Sequence, residues 1–114
     1  MSTRAIIKIE GNQAMLYKHW DGYPEAILPW LKEFYKEFYK SRGGDDPAYC
    51  LAQLVRSSVL LADKYNLDIS KCTGYGIFSG YADIGQEFEY TLHANGTISV
   101  FDNHKKTTKT SKRL

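Results

Sequence analysis

Cysteine is scarce in this chain, and the two present, Cys50 and Cys72, form neither a Cys-x-x-Cys pair nor a Cys/His ligand pattern. That argues against a disulfide scaffold or a zinc ribbon and leaves free thiols as the expectation. Long apolar runs are missing as well: none approaches the roughly 20 residues that cross a bilayer. The stretch Met1 to Glu10 lacks the pattern of a secretory leader. The expectation is a soluble cytoplasmic protein without membrane association. Proline occurs only at positions 24, 29 and 47, so the chain has few forced breaks and no proline-rich linker.

A basic excess is absent from the body of the chain. Lys and Arg total 15 against 13 Asp and Glu, but five of the cations, Lys105, Lys106, Lys109, Lys112 and Arg113, lie in a tail without acids. The rest is slightly acidic, which argues against a specific nucleic-acid groove. A length of 114 residues fits one domain with a single core. The boundaries expected are a domain over 1–103 and a disordered, solubilising tail over 104–114.

What is present is a regular series of elements. Ala5 to Glu10 and Ala14 to Trp20 flank Gly11-Asn12 as a predicted hairpin, in which Met15, Tyr17 and His19 share one face and Leu16, Lys18 and Trp20 the other. Ile27, Leu31, Phe34, Tyr35 and Phe38 recur at helical spacing, with regular helix expected from about Pro29. Gly43-Gly44 stops that helix, and Asp46 followed by Pro47 starts a second one as N-cap and first helical residue. Strands follow at 74–79, 88–93 and 97–101, the last two joined by Ala94-Asn95-Gly96, a strong hairpin signal. The order ββααβββ predicts an α+β domain: an antiparallel sheet of about five strands with two helices packed on one face.

The densest chemistry is the run His19-Trp20-Asp21-Gly22-Tyr23-Pro24-Glu25, which places an imidazole, two carboxylates and two aromatic rings in one turn. A carboxylate beside an imidazole fixes its tautomer, so His19 and Asp21 are candidates for acid/base or ligand roles. The structural alternative is that Asp21 organises the helix entry, Trp20 fills core and His19 bonds backbone. A metal site would draw further ligands from Asp45, Asp46, Asp83, Glu87, His93 or His104, none at a diagnostic spacing. Cys50 sits beside an apolar helix stripe, Ser57 and Ser58 lack a Gly-x-Ser-x-Gly setting, and the later glycines lack the helix of a phosphate loop. Of nine tyrosines, Tyr17, Tyr23, Tyr75, Tyr81 and Tyr90 fall on or beside strands and the central turn, where rings can stack on a ligand, anchor a partner or seal the edge of the core.

The opening Met1-Ser2-Thr3-Arg4-Ala5-Ile6-Ile7, the run Tyr17 to Glu25 and the strand at Glu89-Tyr90 resemble a widespread group of small uncharacterised proteins of bacteria, prophages and other mobile elements. Leu92 stands where those proteins often carry a second Tyr. The resemblance is clearest over the first quarter of the chain and implies a shared fold and site, without transferring a reaction.

Together these readings favour a small non-catalytic binding protein of the mobile-element type. It would recognise a host protein or small polar ligand through His19, Asp21, Tyr23, Glu25, Tyr75 and Tyr90, with no cofactor and no resident metal. The enzymatic alternative is a metal-assisted hydrolase using His19 and Asp21 with Asp83 or Glu87. A third reading is a structural protein that associates with itself.

Overall fold

The computed structural model describes residues 3–62, 74–80 and 84–111. Among these residues two helices, α1 (Pro24–Arg42) and α2 (Pro47–Ala62), accompany six strands: β1 (Ala5–Ile9), β2 (Ala14–Lys18), β3 (Tyr75–Ser79), β4 (Phe88–Leu92), β5 (Ile98–Asp102) and β6 (Thr107–Thr110). The α+β class agrees with the expectation from the pattern. The sheet, however, has six strands rather than five, in the order β3-β2-β1-β4-β5-β6.

It is also not wholly antiparallel. β1 and β4 run parallel, with Ala5 opposite Phe88 and Ile9 opposite Leu92. Alternation marks each strand but says nothing about its neighbour, and here β4 docks on β1 although β3 precedes it in the chain. The sixth strand falls within the segment expected to be a disordered tail. Its threonines are β-branched and pair with β5 from Ser99 opposite Thr110 to Asp102 opposite Thr107. The turn before it is organised by Asp102, whose carboxylate accepts the N–H groups of His104 and Lys105 at 2.9 and 3.2 Å. β6 is exposed throughout, and Lys109 suits such an edge.

The core lies between one sheet face and the helices. Ala5, Ile7 and Ile9 of β1, Leu16, Tyr90, Leu92 and Ile98 meet Ile27, Leu31, Tyr35 and Phe38 of α1 and Cys50, Leu51 and Leu54 of α2. The apolar spacing in α1 produces this stripe, as its sequence predicts. The start of α1 differs from expectation: the helix is continuous from Pro24, and Pro29 lies inside it. Pro24 occupies the first turn, where a missing N–H costs nothing, and Pro29 forgoes one bond to the exposed Glu25 turn. α2 starts as expected, with the Asp46 carboxylate accepting the Tyr49 N–H at 3.1 Å. Among the described residues no helix is long and apolar enough to cross a membrane.

Among the described residues the opposite sheet face carries no helix. Cross-strand register lines up Gly76, Tyr17, Ile6, Glu89, Phe101 and Thr108 along it. Ile6 is nevertheless only 1% exposed, lying between Tyr17 and Glu89 in adjacent strands. The ion pair from Lys8 Nζ to Glu89 Oε1, 3.0 Å long, crosses the same surface.

Candidate functional site

The turn from His19 to Glu25 leaves β2 and enters α1, and its backbone is fixed at several points. The Gly22 N–H donates to Thr3 O at 2.8 Å, and His19 N–H donates to Gly74 O at 2.7 Å. A Cβ on Gly22 would lie 2.5 Å from that of Ala5, so glycine is required by close packing. Asp21 takes the left-handed conformation at φ 56°, one that Asp tolerates better than most residues. Tyr23 is the N-cap of α1 in extended conformation; its carbonyl accepts from Ala26 and Ile27.

The deepest support comes from β4. Tyr90 is fully buried and donates its hydroxyl to the Gly22 carbonyl at 2.6 Å across 68 positions of sequence. Burial pushes its ionisation well above the usual tyrosine range, with the Glu25 carboxylate adding to the shift. Tyr90 therefore positions the turn from below, and neither its ring nor its hydroxyl faces solvent.

Above this strut the turn exposes Trp20 at 38% and Tyr23 at 39%, together with the carboxylates of Asp21 and Glu25. Trp20 does not fill core, as the structural alternative supposed. It lies against Gly74, where a Cβ would meet its ring at 2.7 Å. His19 turns to the open sheet face. Its Nδ1 shares a 2.5 Å hydrogen bond with the Tyr17 hydroxyl, and the Tyr17 ring in turn neighbours Phe78 at 6.4 Å between centroids.

Tyr75 lies elsewhere, on the helix-side face of β3. Its ring meets Trp30 edge-on at 6.1 Å and lies 4.4 Å beneath Lys18 Nζ. Burial raises the Tyr75 hydroxyl to about 12, and burial likewise lowers the Lys18 ammonium, an effect that Asp21 opposes. The residues nominated from sequence thus divide into an exposed group (Asp21, Tyr23, Glu25), one ring on the open face (His19), one half-buried ring (Tyr75) and one buried anchor (Tyr90).

Among the described residues His19 has no carboxylate partner, and no three His, Cys, Asp or Glu side chains gather as a metal-binding group. Glu87 pairs with His104 at 2.7 Å; Asp83, like Cys72, lies outside the described residues. Cys50 is buried, and burial pushes its thiol up to about 12, the behaviour of an inert thiol.

A second cluster, of which the sequence nominated only His93 and then as a possible metal ligand, occupies the far end of the open face. Ser99 Oγ lies 2.8 Å from His93 Nε2, and Glu10 Oε2 lies 3.5 Å from His93 Nδ1. The three residues span 89 positions and share no motif; only the β1 to β4 and β4 to β5 registers bring them together. Neither a family profile nor a curated protein nor a solved structure matches this chain.

Proposed function

We propose that this protein is a small binding domain that displays the 19–25 turn to a protein partner, with the mobile-element type of the sequence reading retained as its setting. One observation carries the reading: a buried tyrosine hydroxyl holds the carbonyl of Gly22 at 2.6 Å while Trp20 and Tyr23, on either side of it, remain substantially exposed. Ordering a turn from beneath reduces the entropy cost of docking it, and exposed Trp and Tyr are frequent binding anchors. Asp21 and Glu25 complement a partner with a basic rim around an apolar recess. A small polar ligand is the lesser form of the same reading, because these side chains project from the turn.

The test compares the parent with Tyr23→Ala and Asp21→Ala in quantitative recovery of partners from bacterial extract. Tyr23→Ala is expected to melt like the parent and Asp21→Ala to remain folded but melt somewhat lower, because alanine is less at ease in the left-handed conformation of residue 21; both are expected to lose the partner. Equal recovery by all three would remove the turn from the binding surface.

A second reading, self-association, is favoured by the outer groove between α1 and α2. This groove, of about 470 Å³, has Trp30, Phe34, Phe38 and Tyr49 along it, with Glu33 on one helix and Arg56 on the other. A twofold axis along the groove would set the acidic edge of one copy against the basic edge of the next. Sedimentation that remains monomeric at high concentration would eliminate it.

A further inference from the structure

Glu10, His93 and Ser99 meet at the corner of the open sheet face remote from the displayed turn. Tyr90, Leu92, Ile98 and Val100 point to the core side, so the intervening Thr91 and Ser99, and His93 beyond them, face the other way. The cluster is held by the backbone on every side. His93 N–H donates to Thr97 O at 2.8 Å, while its carbonyl accepts the hydroxyl of Tyr35. The adjoining turn is tied by Asn95, which accepts from both the N–H and the hydroxyl of Thr97. Glu10 is positioned by the Ala94 N–H, which reaches its Oε1 at 2.9 Å. That bond first, and His93 second, hold its carboxyl below the usual carboxylate value, so it is ionised at neutral pH.

An ionised carboxylate only accepts hydrogen bonds, so the proton of neutral His93 belongs on Nδ1, facing Glu10. Nε2 then carries the lone pair and accepts the Ser99 hydroxyl proton at 2.8 Å. The 3.5 Å separation on the Glu10 side is an ion-pair distance rather than a tight hydrogen bond; such contacts often tighten when substrate binds. Nucleophile, base and orienting acid stand in the order that acyl transfer to serine requires.

We propose that Ser99 is a nucleophile activated by His93, with Glu10 as the positioning residue, and that it takes an acyl group from small activated esters. As the bond from Oγ to the acyl carbon forms, the Oγ proton passes to Nε2. The ester C–O bond breaks, and the leaving oxygen departs as the alcohol with that proton. Water then attacks the acyl-serine, gives a proton to Nε2 and releases the carboxylic acid, while Oγ recovers its hydrogen. The balance is ester plus water to acid plus alcohol. The site lies on an open sheet face, which suits small esters over long acyl chains. With a p-nitrophenyl ester the aryloxide leaves more readily than the serine alkoxide, so acylation should outrun deacylation.

The experiment mixes full-length protein carrying Cys72→Ser, which removes a competing thiol, with p-nitrophenyl acetate. It follows the p-nitrophenolate burst and maps the acetylated peptide. The expected result is a burst approaching one equivalent, with hydroxylamine-labile acetate on the peptide containing Ser99. Ser99→Ala should remove the burst, and His93→Gln should slow it at least about tenfold. Glu10→Gln keeps an acceptor for the Ala94 N–H but removes the charge opposite Nδ1. It should slow the burst at unchanged melting temperature, with partial recovery in Glu10→Asp. Acetate found only on lysines, a parent-like burst in folded Ser99→Ala, or no burst from the parent overturns the proposal. None of these outcomes depends on whether the 19–25 turn binds a partner.

Discussion

The two ends of the sheet are held by the same device and present different chemistry. At one end the hydroxyl of Tyr90 donates to the Gly22 carbonyl at 2.6 Å; at the other the hydroxyl of Tyr35 donates to the His93 carbonyl. Above the first lie exposed rings and carboxylates; beside the second, an imidazole meets a serine and a carboxylate. The first set is contiguous in sequence and includes no contact between His19 and a carboxylate. The second is scattered in sequence and assembled in space. Proximity along the chain supplies a surface to display, whereas register across strands supplies geometry suited to proton transfer.

Alkaline pH should break both ends together and is the largest effect expected. Burial raises Tyr35 and Tyr75 from 10.0 to about 12 and raises Tyr90 further. In each case the folded value exceeds the unfolded one, so the associated stability is fully present below pH 10 and is lost as pH rises towards 12 and beyond. Melting temperature should fall steeply across that window, and a flat profile would contradict the burial of these hydroxyls.

The ends should come apart under glycine substitution. A Cβ on Gly22 would lie 2.5 Å from Ala5 Cβ, and one on Gly44 would lie 2.0 Å from the Ala94 carbonyl oxygen. Gly22→Ala and Gly44→Ala should each cost about 3 kcal/mol, the upper part of the range for overpacking, as read by denaturant titration. Amide exchange should accelerate around Tyr23 in the first variant and around Ala94 in the second. Loss of protection at both ends in both variants would show a single cooperative unit instead.

A finer separation uses Tyr90→Phe and Tyr35→Phe, each leaving a carbonyl without its donor at a cost of about 1–3 kcal/mol. Tyr90→Phe should weaken partner recovery and spare the acetylation burst; Tyr35→Phe should slow the burst and spare recovery. The smallest effect is expected at Lys18, whose ammonium is disfavoured by burial despite Asp21. With a folded pKa below the unfolded one, Lys18 binds fewer protons in the native state, so its penalty diminishes as pH rises towards the unfolded value. Lys18→Met should therefore raise the melting temperature slightly at neutral pH; a decrease would show that the cation over Tyr75 contributes more than its desolvation costs.

Much of the fold was legible because periodicity reports local geometry directly. The Ile27 to Phe38 spacing, the Asp46 cap and the Asn95-Gly96 turn each correspond to elements of the structure. The parallel pairing of β1 with β4 was not legible, since nothing in an alternating strand specifies its neighbour. β6 was missed because lysine and threonine read as a solvated tail, although the same residues suit an exposed edge strand. At the displayed turn the residue types were evident, while the anchoring role of Tyr90 depends on a contact across the fold. The Glu10, His93 and Ser99 cluster left only a faint signal: a histidine beside an Asn-Gly hairpin, with a serine two residues into the returning strand.

If the 19–25 turn is a docking surface, site-directed photo-crosslinking will capture its occupant. A benzophenone side chain replaces Tyr23 in one protein and the exposed Lys36, further along α1, in another. After irradiation in bacterial extract, a discrete protein adduct should form from position 23, diminish when Asp21→Ala is added and be absent from position 36. No adduct from position 23, or the same adducts from both positions, would show that the turn is not a docking surface.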